Sequence, residues 1–297
     1  MGYRRRRSRA ALAVVLAAVL GAAGCDAVRG DSPAPDGTRA KTSRPAPVWD
    51  RSPSSIAAVG DSITRGFDAC TVLSDCPEVS WATGTSAQVD SLAVRLLGRS
   101  AATERSWNYA VTGARMADLP GQMTQAVTRK PQLVTVMAGA NDACRATTSA
   151  MTSVTAFRAS FEEAMSTLRE TLPKTQVYVS SVPNLKRLWS EGRTNPLGKQ
   201  VWKLGICPSM LGDADDLTST ATLRRDTVQQ RVEAYNKVLK EVCAKDRRCR
   251  FDGNAVFDYR FGTGQLSRWD WFHPSTDGQS RLAAIAYRTV TAKEPSS

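Results

Sequence analysis

Ile56-Ala57-Ala58-Val59-Gly60-Asp61-Ser62-Ile63-Thr64 sets four small or β-branched apolar residues directly before Gly-Asp-Ser. An apolar run that stops in a tight turn reads as a parallel strand buried on both faces. It leaves a serine at the carboxyl end of the strand, the edge at which open α/β sheets bind their ligands. Taken alone the stretch has a plainer reading, since Asp or Ser after a strand is a common N-cap of the next helix. The rest of the chain decides between the two.

Downstream, short apolar runs alternate with helical periodicity, the pattern of βαβ units on a parallel sheet. Further strands are predicted at Trp107 to Val111, Leu133 to Ala138, Gln176 to Ser180 and, shortest, Arg250 to Phe251. Helices are predicted near 86–97, with Val89, Leu92, Ala93 and Leu96 on one face, near 118–128, over 151–171 and over 221–243. A last helix follows Pro274, where Thr276 and Gln279 suit a capping box. Residues 184–220, which include Trp189, Pro196, Trp202 and Pro208, are expected to form a long irregular insertion, a feature that in a compact domain is usually functional. No internal repeat and no second domain is evident, so 53–293 reads as one domain.

The start of the chain is different. Arg4 to Arg7 and Arg9 precede the apolar run Ala10 to Ala23, the charged and apolar regions of an export signal, assigned here to 1–25. Ala22-Ala23-Gly24-Cys25 resembles a bacterial lipobox, with Ala22 where that motif usually has Leu. Cys25 is therefore the expected lipidation site, and cleavage at a plain small-residue site is the alternative. Residues 26–52, rich in Pro, Ser, Asp, Gly and Arg, are expected to be a disordered tether. The net charge of +12 includes the five signal arginines, in a stretch without acids, so +7 remains on the exported chain. Such a charge favours anionic surfaces, or simply keeps the protein soluble. There is no zinc-finger spacing, no aromatic-basic repeat and no compact basic helix, which argues against nucleic acid as a partner.

Six cysteines remain besides Cys25, an even number in an exported chain, which argues for three disulfides. Six cysteines allow 15 connectivities. Pairing in chain order is expected, Cys70–Cys76, Cys144–Cys207 and Cys243–Cys249, because the first and last pairs close short local loops.

Four polar or glycine signals fall where a parallel sheet brings them to one edge. They are Ser62 after the first strand, Gly113 after the second, Asn141 after the third, and Asp270-Trp271-Phe272-His273-Pro274 before the last helix. Acyl transfer needs a nucleophile, a base, a group that fixes the base's tautomer, and donors aimed at the oxyanion. Ser62 supplies the first, His273 the second and Asp270 the third, and His273 is the single histidine in the chain. The donors are the backbone N–H groups of Ser62 and Gly113 and the side-chain amide of Asn141. Glycine suits position 113 because a backbone donor approached closely by substrate tolerates no Cβ. Asp142 reads as structural, bonding the turn that aims Asn141.

Gly60-Asp61-Ser62, Gly113, Gly139-Ala140-Asn141-Asp142 and Asp270-Trp271-Phe272-His273 resemble, in order and spacing, the four blocks of the SGNH, or GDSL, hydrolases. The match spans about 56–290, with Ile63 where the family name implies Leu. The resemblance implies a three-layer α/β/α sandwich with a mostly parallel five-stranded sheet, flavodoxin-like in arrangement. It implies hydrolysis of lipid or other acyl esters through an acyl-serine intermediate, as a lipase, phospholipase or esterase. The family's serine sits on a looser turn than the G-x-S-x-G elbow, and Thr64 agrees with that. A polysaccharide O-acetyl esterase is the alternative within the family, and a non-catalytic wall-binding lipoprotein is the alternative outside it. Ser80-Trp81-Ala82-Thr83-Gly84 looks similar to secreted bacterial lipase-like members.

If Cys144 and Cys207 pair, the insertion is tied to the loop after Asn141, and Trp189, Leu197 and Trp202 are expected to wall an acyl pocket. No cofactor and no metal are implied, since dinucleotide and phosphate-loop spacings are missing. The expected partner is thus an acyl-ester substrate, met by a monomer at the cell surface and held to the membrane by an N-terminal lipid anchor.

Overall fold

Apolar residues, with Thr135 the one polar side chain, fill β1 (Ile56–Gly60) and β3 (Leu133–Met137), and every residue of both strands is buried. With β2 (Ser106–Asn108), β4 (Gln176–Val179) and β5 (Cys249–Phe251) they form a five-stranded sheet in the order β2-β1-β3-β4-β5, parallel throughout. This computed structural model describes residues 49–294. The expected signal 1–25, the lipidation site Cys25 and tether residues 26–48 lie outside the described residues.

The helices are α1 (Ser62–Arg65), α2 (Leu92–Leu97), α3 (Arg99–Arg105), α4 (Leu119–Val127), α5 (Ala140–Ala143) and α6 (Val154–Thr171). They continue with α7 (Leu185–Gly192), α8 (Pro196–Trp202), α9 (Pro208–Leu211), α10 (Ser219–Ala244), α11 (Ala255–Asp258) and α12 (Thr276–Thr291). Strand residues alternate between two cores. Ala57, Val59, Val134, Val136, Val177 and Val179 pack under α4, α6 and α10. Ile56, Ala58, Leu133, Met137 and Tyr178 pack under α2 and α12. A sheet covered on both faces by helices is the three-layer α/β/α arrangement. The chain leaves β1 toward β2 on one side and returns to β3 on the other, so the crevice at the carboxyl ends of β1 and β3 is the topological switch point.

Several expectations are corrected by local chemistry. The helix predicted over 86–97 starts only at Leu92, because Asp90 takes a φ of 51° and Ser91 caps the Val94 N–H. Val89 belongs instead to a small cluster with Cys76 and Val79. The insertion 184–220 is not irregular. Asn184 caps the Arg187 N–H at 2.8 Å, Asn195 caps Leu197 and Gly198 ahead of Pro196, and Pro208 opens α9, so the two Asn caps and the prolines at N1 make three short helices. No capping box forms at the start of α12: Ser275 is the cap, and Gln279 turns inward. The tether boundary at 52 is also too late, since Trp49 Nε1 donates to the Val290 carbonyl at 2.8 Å and its ring lies beneath Arg250.

The structure forms Cys70–Cys76, Cys144–Cys207 and Cys243–Cys249. The middle pair ties the turn after α5 to the start of α9, where Ser209 Oγ also donates to the Ala143 carbonyl at 2.8 Å.

Candidate active site

β1 ends at Gly60, whose N–H and carbonyl are both held by the buried Gln122 amide, at 2.7 and 2.9 Å. A Cβ here would lie 2.2 Å from the Met137 carbonyl oxygen, so only glycine lets β1 pass so close to the end of β3. Asp61 then caps the Ile63 N–H at 3.0 Å and opens the single turn α1 on Ser62. The turn is clamped from behind. Gln279 accepts from the Trp81 N–H and donates to the Ile63 carbonyl, Ser80 Oγ donates to the Thr64 carbonyl at 2.7 Å, and Asn108 donates to the same carbonyl at 2.9 Å. Gln279, Asn108 and the 80–84 block thus act as supports of the serine turn.

Before α12, the segment 267–274 folds back on itself. The Ser267 N–H donates to the His273 carbonyl at 2.7 Å, and the Trp271 N–H donates to the Ser267 carbonyl at 2.9 Å. Trp271 adopts a φ of 51°, a strained conformation for a bulky residue that tends to occur at functional sites. The result is a continuous line. His273 Nε2 lies 2.8 Å from Ser62 Oγ, and His273 Nδ1 lies 2.5 Å from Asp270 Oδ2. Asp270 Oδ1 accepts the backbone N–H groups of Phe272 at 2.8 Å and His273 at 3.0 Å. With Nδ1 facing a carboxylate, the imidazole carries its proton there and leaves Nε2 free to accept from the serine.

Burial raises the pKa of the Asp270 carboxyl, but the His273 hydrogen bond and charge and the two backbone N–H groups outweigh it, so it lies below the usual carboxylate range. Asp61 goes the other way. Burial pushes it up to about 7 against the pull of the Ile63 N–H and the charge of His273. Burial also raises Asp142, although the Thr152 and Met116 hydrogen bonds oppose it.

The expected donors are approached through one joint. Asn141 Nδ2 donates to the Ala114 carbonyl at 2.9 Å, and Asp142 Oδ2 accepts the Met116 N–H at 2.9 Å, so the turn after β3 holds the loop carrying Gly113. The space a Cβ would fill at Gly113 is open, and its φ of 84° calls for glycine. This backbone conformation is a second reason for glycine beside the close approach of substrate.

Trp189 and Trp202 do not wall the pocket beside the serine. Trp202 is buried against Gly192, and its Nε1 donates to the Asp270 carbonyl at 2.9 Å. Trp189 lies between Arg193 and Arg225 and donates to the Ala214 carbonyl at 3.1 Å. Both rings form the core of the insertion because its three helices need one. A mostly apolar cavity of about 30 Å³ lies nearby instead, bounded by the chain neighbours of the site, Ile63, Ala140, Phe272 and Pro274, and closed by Leu188 and Tyr259.

Residues 56–286 match the GDSL-like lipase/acylhydrolase family. The chain belongs to this family, whose activity is ester hydrolysis. Among solved structures it is similar to LAE5, an α/β hydrolase enzyme from the metagenome of Lake Arreo, with 18% identity, 80% of this chain and 94% of that one covered, and a TM-score of 0.48. It is similar to an extracellular lipase of Streptomyces rimosus, with 18% identity, 80% and 99% covered, and a TM-score of 0.46. A family 3 carbohydrate esterase of Clostridium thermocellum aligns with 14% identity, 79% and 93% covered, and a TM-score of 0.47. No curated protein matches the chain.

Proposed function

We propose that this protein is a serine ester hydrolase, exported and held at the cell surface through Cys25, that works through an acyl-serine intermediate. The observation that carries the reading is the unbroken line Ser62–His273–Asp270 at the switch point of the sheet. His273 Nε2 takes the serine proton as Oγ attacks the ester carbonyl, and Asp270 stabilises the imidazolium that results. The oxyanion is met by the N–H groups of Ser62 and Gly113 and by the Asn141 amide. His273 then returns the proton to the departing alcohol oxygen. In the second half water attacks the acyl-serine while His273 removes its proton, and the acid and free Ser62 are released. Trp202 serves by fixing the carbonyl of Asp270. The export reading rests on the arginine-led apolar leader and the three disulfides.

The substrate is a lipid or another acyl ester. A short acyl group, as in O-acetylated polysaccharide, is a second reading favoured by the small size of the apolar cavity bounded by Ile63, Ala140, Phe272 and Pro274. Hydrolysis of p-nitrophenyl esters from acetate to palmitate by residues 45–297 tests both readings, with Ser62→Ala alongside. Turnover that falls about a thousandfold or more in the variant supports the mechanism, and the chain-length profile separates the substrates. Equal turnover by both proteins would end the serine reading.

A further inference from the structure

Beside the Ser62–His273–Asp270 line lies a side chain that the hydrolytic scheme does not use. Asp68, in the loop after α1, is 2% exposed. One of its carboxylate oxygens, one from Asp270 and a ring nitrogen of His273 lie within 4.8 Å of one another. Asp270 is buried as well, at 3% exposure, so the two carboxyl groups face each other with little water between them. Two buried carboxyl groups this close do not both stay ionised without cost, so one of them favours its protonated form. The oxygens of Asp270 already accept from His273 Nδ1 and from the Phe272 and His273 N–H groups, which favours its anion, so the proton belongs on Asp68.

The chain is shaped to hold Asp68 there. Its φ of 56° lies in the left-handed region, its Oδ1 accepts the Leu73 N–H, and its carbonyl accepts from Ser267 Oγ at 2.7 Å. The last bond pins the Asp68 loop to the segment that carries Asp270 and His273. Asp68 also lines an open cleft of about 490 Å³ beside Trp269 and Trp271, so its proton exchanges with water without crossing the reacting atoms.

We propose that Asp68 is a positioning residue of this site, whose carboxyl group donates to Asp270 and whose ionisation tunes how strongly Asp270 holds the charge on His273. The proposal rests on the hydrolase reading above. Burial, then the negative charge of Asp270, push Asp68 up to about 6. Below that pH the Asp68 O–H draws on the Asp270 carboxylate and weakens its pull on the imidazolium. Above it, two negative charges lie beside the ring and make it the stronger base. The groups facing Asp68 are Asp270 and His273 from the segment before α12 and the Leu73 N–H from its own loop, with Arg268 of that segment and Asp277 of α12 lining the same cleft. Asp61, after β1, acts on His273 independently and is present in every protein compared.

Because the chain has a single histidine, its ring resonances are assigned without mutagenesis. The test is an NMR titration of His273 together with the pH profile of kcat/KM on p-nitrophenyl acetate, in the wild type and in Asp68→Asn. Asparagine tolerates the left-handed φ, its oxygen still accepts the Leu73 N–H, and its amide donates to Asp270 at every pH. The expected result is a histidine midpoint about one pH unit lower in Asp68→Asn, with the acid limb of the profile moved by the same amount. Midpoints that agree within about 0.2 unit would overturn the proposal. If Asp68→Asn does not fold, the wild type decides: its histidine titration must carry a second inflection near pH 6, and a single smooth curve overturns the proposal. The NMR readout needs no turnover. A wild type that shows the coupling yet hydrolyses no ester refutes the hydrolase reading and leaves the Asp68–Asp270 pair standing, whereas normal hydrolysis without the coupling refutes only the role of Asp68.

Discussion

Cys144–Cys207 is the disulfide that joins the site to the insertion, and its removal has a size set by the chain it closes. The two cysteines are 63 residues apart, and restricting the unfolded chain over that span contributes about 4 kcal/mol, whereas Cys70–Cys76, 6 residues apart, contributes about 2 kcal/mol. Each pair has one buried and one more accessible partner, so the packing lost on truncation to alanine nearly cancels between them. In the folded state the Ser209 N–H still donates to the Arg145 carbonyl and Ser209 Oγ to the Ala143 carbonyl, which keeps α9 on the turn after α5. The double variant Cys144→Ala/Cys207→Ala is therefore expected to fold, with stability lower by about 4 kcal/mol. With a urea m-value of about 2–3 kcal/mol/M, its unfolding midpoint falls by about 1.3–2 M, against about 1 M or less for Cys70→Ala/Cys76→Ala. Urea unfolding followed by tryptophan fluorescence measures both. Equal losses in the two double variants, or a larger loss for the short loop, would refute the reasoning.

Two further outcomes follow from the serine turn. Gly60→Ala puts a methyl group against the Met137 carbonyl and strains the Gln122 clamp, so it costs more than about 3 kcal/mol of stability by urea unfolding; a loss under about 1 kcal/mol would show that β1 and β3 part easily. The pKa of Asp61 rises from 3.8 to about 7 on folding, so its contribution to stability is fully present below pH 3.8 and is lost as pH rises through about 7. Asp61→Asn keeps an N-cap acceptor without that titration, and the fall in stability over this window should flatten in urea midpoints taken across it; an unchanged slope would assign the pH dependence to other groups.

Much of the sheet and the whole hydrogen-bonded line were legible in the sequence, because they rest on local signals. β1 is an unbroken apolar run and β3 and β4 are apolar apart from Thr135 and the leading Gln176, and Ser62, Asn141, Asp270 and His273 fall shortly after strands or before the last helix. What stayed hidden depends on contacts far apart in the chain. Trp189 and Trp202 carry no periodicity that marks them as the core of a three-helix insertion, and the Asn184 and Asn195 caps that build those helices sit among residues that read as loop. Gln279 matched a capping box locally, yet its amide bridges Ile63 and Trp81, a pairing no spacing rule reveals. Asp68 gave no signal beyond being an acid in a polar loop; its meaning lies in the fold that carries it against Asp270.

The most direct test of the account is covalent. The protein is treated with an alkyl fluorophosphonate, which phosphonylates an activated serine, and its intact mass and modified peptide are read by mass spectrometry in the wild type, Ser62→Ala and His273→Ala. The account predicts one adduct per chain, located on Ser62, absent in Ser62→Ala and slowed about a thousandfold or more in His273→Ala. An unmodified wild type, or an adduct that persists in Ser62→Ala, would contradict it.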